Sequence, residues 1–206
     1  MESMQPEMTV TVSVIVGSTR PNRFAGEPAQ WILEHLRQRP QVEARLLDLK
    51  DFALPFFEET VTPISRGDDP YEHEAVRRWS EAIEGSDAFV IVSPEYNHGY
   101  PGVLKNALDY LYQEWNRKPV AFVGYGGVGG ARVIQQLRQV AVELQMVPVR
   151  TAVHLPLPPL LAHINGGDVR EELAKEDAKA DQMLDDLLWW TSTLETGRQP
   201  AASLAR

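Results

Sequence analysis

Hydrophobic positions in this chain follow two periods that alternate along its length. Residues 10–16, 89–92 and 119–123 form short apolar runs, interrupted in the first only by Thr11 and Ser13. Runs of that kind predict strands buried on both faces. Residues 42–49, with polar Glu43 and Arg45, predict a second strand, and 147–153 a fifth. Between them apolar residues recur at helical spacing. Ala25, Pro28, Ala29, Ile32 and Leu36 share one face over 25–39, and Ala75, Trp79, Ala82 and Ile83 share one over 71–84. Leu104, Ala107, Leu108 and Leu111 do so in the next helix, and Ile134, Leu137, Ala141 and Leu144 in the one after. A long acidic helix is predicted over 169–195, and a loop or lid over the proline-rich 155–159. Residues 50–69 show no clear period, and an unstructured connection that long tends to be functional or to cover something.

Strand and helix thus alternate five times, which predicts an α/β fold: a doubly wound, five-stranded parallel sheet with helices on both faces. One domain is expected over 9–196, with flexible ends at 1–8 and 197–206. No internal repeat is visible.

Composition narrows the function classes. The 206 residues contain no cysteine, which excludes disulfides, thiolate metal sites and a cysteine nucleophile. Twenty basic against 29 acidic side chains leave a formal charge of −9, and an acidic surface argues against nucleic-acid binding. The first eight residues lack the basic start and apolar core of a signal peptide, and no apolar run is long enough to span a bilayer. The expectation is a soluble, cytoplasmic protein with no membrane partner.

Three strand-to-helix turns carry the candidate chemistry. In a doubly wound sheet the first, third and fourth strands lie side by side, and ligands bind outside their carboxyl ends. The first turn, at 17–23, offers Ser18, Thr19, Arg20, Asn22 and Arg23 at a helix N-terminus. N–H groups and helix dipole there favour a phosphate, and arginine adds charge-assisted hydrogen bonds. The plainer alternative is that Ser18 and Asn22 cap the helix and the arginines are solvated. The turn matches neither the glycine fingerprint of dinucleotide sites nor that of nucleoside triphosphate sites, so a mononucleotide with one phosphate suits it better. The second turn, Pro94, Glu95, Tyr96 and Asn97, suits the edge and face of a flat heteroaromatic ring. Its plainer alternative is an ordinary turn with Asn97 as helix cap. The third turn, 124–130, is glycine-rich and permits close backbone approach.

Together, Gly-Ser-x-Arg at 17–20, Pro-Glu-Tyr-Asn-His-Gly…Pro-Gly-x-Leu-Lys-Asn-Ala-Leu-Asp at 94–109 and Tyr-Gly-Gly-x-Gly-Gly at 125–130 resemble the NAD(P)H-dependent FMN reductase family, of flavodoxin-like fold. The likeness spans roughly residues 10–154. It implies a noncovalently bound FMN, with Ser18 and Arg20 on its phosphate, helped by Asn22 or Arg23. Pro94, Glu95, Tyr96 and Asn97 would line the isoalloxazine ring, and Tyr125, Gly126 and Gly127 would border its other side. Many members have serine where Arg23 stands and asparagine where Ala25 stands, so Arg23 is also a candidate for the phosphate of an incoming NAD(P)H. The resemblance further implies a small-molecule electron acceptor such as a quinone or free flavin, and a homodimer or homotetramer. Phe56, Phe57 and the helix carrying Trp79 are candidate interface material. No acid–base residue is obligatory, because the flavin carries the redox chemistry.

Other readings compete. An electron carrier or redox sensor would hold FMN without its own nicotinamide turnover. A nucleotide hydrolase on the same sheet would need a nucleophile–base pair or metal cluster that is not evident. His98, beside Gly99, is read as a turn residue rather than a catalyst. Lys105 and Asp109 form a surface pair. His154 and His163 lack the spacing of metal ligands. Trp189 and Trp190 are expected in the core or at an oligomer contact.

Overall fold

The structure is a computed structural model and describes residues 9–67 and 71–198; of the expected flexible ends at 1–8 and 197–206, Gly197 and Arg198 are helical and the rest lie outside the described residues. The chain runs β1 (Val10–Val16), α1 (Gly26–Arg37), β2 (Val42–Asp48), α2 (Leu49–Phe52), α3 (Pro63–Arg66), α4 (Glu74–Glu84) and β3 (Ala88–Pro94). It continues through α5 (Gly102–Asp109), β4 (Pro119–Tyr125), α6 (Ala131–Glu143), β5 (Val147–Pro148) and β6 (Val153–Leu155). It closes with α7 (Leu157–Asn165), α8 (Val169–Ala174) and α9 (Asp177–Arg198). All strand pairs are parallel and the order is β2-β1-β3-β4-β5, with β6 also on β4. This is the flavodoxin-like order, with its switch point between β1 and β3.

Alternate residues of each central strand feed opposite cores, because side chains in a strand change face at every step. Val12, Val14, Val16, Val90, Val92 and Val123 pack with α1 and α9. Ile15, Phe89, Ile91, Val120 and Phe122 pack with α4, α5 and α6. Each such side chain contributes about 1.5–3 kcal/mol on burial. The polar interruptions in β1 are satisfied locally. Ser13 shares a 2.7 Å hydrogen bond with Ser86, and the Thr11 N–H donates to the Asp87 carboxylate.

The structure departs from the sequence pattern at the fifth strand, which is not continuous over 147–153. It divides into β5 and β6, both on β4. Pairing of β5 with β4 ends after the Val149 N–H meets the Val120 carbonyl, and the Arg138 guanidinium takes the Val149 and Arg150 carbonyls. The proline-rich 155–159 is not a loop: Leu155 ends β6, Pro156 caps α7, and Pro158 and Pro159 lie in its first turn, where a missing N–H costs nothing. The acidic C-terminal helix is broken after α8 by a tight turn in which the Glu176 N–H donates to the Leu173 carbonyl. It runs to Arg198, whose guanidinium reaches the Asp87 carboxylate and the Arg117 carbonyl. Within 50–69 the chain forms two single helical turns, α2 and α3. Among the described residues no helix is long and apolar enough to cross a membrane.

Trp79 sits at the centre of the second core. It is fully buried, its Nε1–H donates to the Ala107 carbonyl at 2.8 Å, and its ring meets Phe52 and Trp115 edge-on. It therefore serves this chain's own core rather than an interface. Trp79→Ala should lower unfolding stability by about 3–5 kcal/mol in urea denaturation. A loss below about 1 kcal/mol would show that α4 is not packed as described.

Candidate functional site

The three turns at the carboxyl ends of β1, β3 and β4 meet as expected, because the three strands are neighbours. The first turn is held close to the sheet by Gly17, whose N–H donates to the Val92 carbonyl. A Cβ on Gly17 would lie 2.8 Å from that oxygen and 3.0 Å from the Leu104 side chain, so only glycine fits. Neither Ser18 nor Asn22 caps α1; the capping position is Ala25, with no side-chain hydrogen bond. Ser18 is 1 % exposed and shares a 3.1 Å hydrogen bond with the Tyr96 hydroxyl, which ties the first turn to the second. Among the described residues the N–H groups of Ser18, Thr19, Arg20 and Asn22 donate to no protein acceptor. Successive free N–H groups beside a helix N-terminus form an anion cradle.

Two arginines flank that cradle. The Arg20 guanidinium stands 5.6 Å from the Tyr96 ring centroid and is solvent-exposed. Arg23 is not a solvated group: it is largely buried and pairs with the Asp48 carboxylate at the end of β2. Its Nε is buried with no hydrogen-bond partner among the described residues. Buried, that nitrogen is out of a ligand's reach; the free backbone amides with the exposed Arg20 guanidinium beside them match the donor set an FMN phosphate requires.

The second turn doubles back on itself. Tyr96 and Gly99 exchange both main-chain hydrogen bonds, and the two residues between them, Asn97 and His98, have φ of 50° and 70°. Positive φ at both central residues is what a type I′ turn demands, and asparagine tolerates it. Asn97 is thus a turn residue; the capping position of α5 is Pro101. The Glu95 N–H extends the β3–β4 ladder by donating to the Tyr125 carbonyl at 2.9 Å. Its carboxylate side chain is only 4 % exposed and accepts from the Arg132 guanidinium at 2.6 Å and from the Arg132 main-chain N–H at 3.1 Å. Burial pushes this carboxyl upward, but the Arg132 side chain, its main-chain N–H and its charge outweigh that and hold the value below the ordinary one.

The third turn needs its glycines. Gly130 has φ of 67° and a Cβ there would lie 2.6 Å from Gly124 backbone atoms. Gly126, at φ of 150°, lets the Glu95 side chain approach to a distance that a Cβ would contest at 3.1 Å. Tyr125 is buried edge-on against Phe24, with ring centroids 5.0 Å apart. Burial and the neighbouring Tyr96 push its hydroxyl well above the ordinary tyrosine value, against the pull of Arg20 and Arg23, so it stays protonated.

Arg20, Asn22, Arg23, Pro94, Glu95, Tyr96, Tyr125 and Gly126 line one crevice of 240 Å³. Asn97 and Gly127 are exposed beside it rather than on its wall. The opposite wall is α7, which contributes Leu160, His163 and Ile164. The His163 Nε2–H donates to the Asn22 carbonyl at 3.2 Å, and its ring meets Phe24. That wall has no sequence signal beyond a histidine and two apolar residues after a proline run. Asp48 and Arg132 are also absent from the sequence motifs; acidic Asp48 at a strand end was the one readable hint.

A family model described as NADPH-dependent FMN reductase matches residues 10–157. An NAD(P)H-dependent FMN reductase of Schizosaccharomyces pombe is 40 % identical over 152 residues, 73 % of this chain and 76 % of the relative. Another from Nectria sp. is 35 % identical over 196 residues, covering 92 % of this chain and 98 % of the relative. Among solved structures, the flavoenzyme NAD(P)H:(acceptor) oxidoreductase FerB from Paracoccus denitrificans superimposes with a TM-score of 0.67 at 27 % identity, over 90 % of this chain and 98 % of that one.

The Glu95 environment fixes an acid-side dependence of stability. Its folded value lies below the ordinary 4.5, so its contribution is present above about pH 4.5 and lost as pH falls through the folded value. Glu95→Gln should flatten the fall in unfolding stability between neutral and acid pH, read from urea denaturation of the FMN-free chain. An equally steep fall in both proteins would show that the carboxylate is not held ionised.

Proposed function

Because the chain belongs to the NADPH-dependent FMN reductase family, it is an FMN-dependent oxidoreductase supplied by NAD(P)H, and we propose that the crevice between its three turns holds the FMN. One observation carries this placement: the N–H groups of Ser18, Thr19, Arg20 and Asn22 in the first turn have no acceptor among the described residues, and the exposed Arg20 belongs to the same turn. That donor set fits an anion such as the FMN phosphate.

In this reading Ser18, Arg20, Asn22 and Arg23 bind the phosphate. Asp48 orients Arg23 and offsets part of its charge. Pro94, Glu95, Tyr96 and Asn97 border one side of the ring, and Tyr125, Gly126 and Gly127 the other. Bound FMN supplies the redox chemistry, accepting hydride from reduced nicotinamide and delivering electrons to an acceptor. The protein's contribution is to position and to exclude water. Pro94, Tyr96, Leu160 and Ile164 give the crevice apolar walls. Glu95 is ionised and paired, and Tyr125 stays protonated, so neither is placed to shuttle protons. A small, flat acceptor such as a quinone or free flavin suits walls of this shape. The family does not favour a carrier that lacks its own nicotinamide turnover.

A homodimer or homotetramer accompanies this reading. Phe56 is 80 % exposed, yet the backbone around it is fixed: Asn106 bonds the Pro55 carbonyl and the Phe57 N–H, and the Tyr110 hydroxyl donates to the Phe56 carbonyl. A phenyl ring held rigidly in water beside an apolar cavity of 290 Å³ is accounted for by a second copy covering it. The same reading places the protein in the cytoplasm, which cell fractionation checks.

Two experiments test the proposal. FMN added to the protein should bind, and anaerobic NADPH or NADH should bleach its visible band. Arg20→Ala should weaken FMN binding by about tenfold while leaving the melting temperature of the FMN-free chain within about 2 °C. Equal affinity would remove Arg20 from the phosphate site, and a protein that ignores FMN would end the assignment. For the assembly, Phe56→Glu should lower the mass seen in sedimentation; an unchanged mass would place the interface elsewhere.

A further inference from the structure

We infer that Glu95, Arg132 and Gln136 are positioning residues: α6 clamps the Tyr96–Gly99 turn and thereby sets the spacing and the charge balance between the second and third turns. The consequence for FMN rests on the placement proposed above, whereas the clamp itself does not.

The start of α6 explains why the clamp exists. Its capping residue is Gly130, in a left-handed conformation with no side chain to offer, and its first turn holds no acidic residue. The free N–H groups there need an acceptor. Glu95 supplies it from another element 37 residues away: its carboxylate takes the Arg132 N–H, and the Arg132 guanidinium folds back onto the same group. A carboxylate at a helix N-terminus also answers the helix dipole.

Gln136 completes the grip. It lies four residues on, and therefore on the same face of the helix. Its Nε2–H donates to the His98 carbonyl at 2.9 Å. Its amide crowds Gly99, where a Cβ would stand 3.1 Å from Oε1. Arg132 and Gln136 therefore hold residues on both sides of Asn97. Asn97 and His98 sit at positive φ, a conformation that residues with side chains keep only where the surroundings enforce it. On its other flank, Glu95 packs against Gly126 of the third turn. One carboxylate thus joins the two turns that are proposed to border the ring, and Arg132 leaves their junction without net charge.

The test has one arm without FMN and one with it. In the FMN-free protein, hydrogen exchange at the Tyr96 and Gly99 amides should speed up by about tenfold in Gln136→Ala and Arg132→Ala. Gln136 is on the surface, so that variant keeps the test open if Arg132→Ala folds poorly. With FMN, all three of Glu95→Gln, Arg132→Ala and Gln136→Ala should raise the dissociation constant by about tenfold through misplacement of the turn. The midpoint potential of bound FMN separates positioning by a charged pair from general loosening. Glu95→Gln leaves an uncompensated positive charge and should raise it, while Arg132→Ala leaves a negative one and should lower it. Unchanged exchange in both helix variants would overturn the clamp whether or not FMN binds. Potential shifts of the same sign in the two charge variants would overturn the pair's electrostatic role. A wild-type chain that takes up no FMN would overturn the functional reading alone, since the exchange arm still decides the clamp.

Discussion

Parallel pairing of β1, β3 and β4 is the constraint on which the site depends. Neighbouring strands in a sheet lie about 4.8 Å apart. Three parallel strands side by side must therefore release their chains at one end, within a few ångströms of one another. The pairing holds because both faces of these strands are covered, so that a one-residue slip would turn Val12, Val14 and Val90, or Ile15, Phe89 and Ile91, toward the wrong core. Chemistry assembled from 17–23, 94–99 and 124–130 is a consequence of that packing. No contact inside the turns would bring them together without it.

What the turns then add is backbone polarity. The sheet consumes main-chain hydrogen bonds up to Gly17 and Glu95, each still bonded to a neighbouring strand, and stops there. Beyond that point the chain has N–H groups with no partner in the described residues, which is costly unless a ligand or solvent meets them. Around this polar centre the fixed charges are compensated in pairs: Arg23 by Asp48, and Arg132 by Glu95. Arg20 is the exposed cation next to the cradle. The result is a site with an exposed cation beside the free N–H groups and with its other arginines paired.

The fold was legible because its signals are local. Strands such as 10–16 and 119–123 are apolar runs, and helix faces such as Ala29, Ile32 and Leu36 repeat within a dozen residues. The fifth strand reads as one run because 147–153 stays largely hydrophobic, whereas Arg138 claims the Val149 and Arg150 carbonyls between its two paired pieces. The proline-rich 155–159 reads as a loop or lid, whereas Pro156 caps a helix whose first turn holds Pro158 and Pro159. The turns were legible as motifs, but their internal wiring was not. Arg23 meets Asp48 across 25 residues and Glu95 meets Arg132 across 37, and no spacing rule reports a contact made through tertiary structure. The sequence offers Asn97 as a ring-edge partner or a helix cap, and its φ of 50° makes it a turn residue.

The C-terminal arm bears on how firmly the crevice is held. The family match ends at residue 157, and α7 begins there. The arm is braced on α1 rather than on the sheet edge alone. Trp31 donates to Asp177, His35 meets Asp177 and Asp181, and Arg39 meets Asp181 and Asp185. Because the first turn leads into α1, the arm and the proposed phosphate cradle share one support. His163 closes that loop by bonding the Asn22 carbonyl. The crevice is therefore fixed from two sides, by α6 through Glu95 and by α7 through Asn22, and its width follows from helix positions rather than from loop conformation.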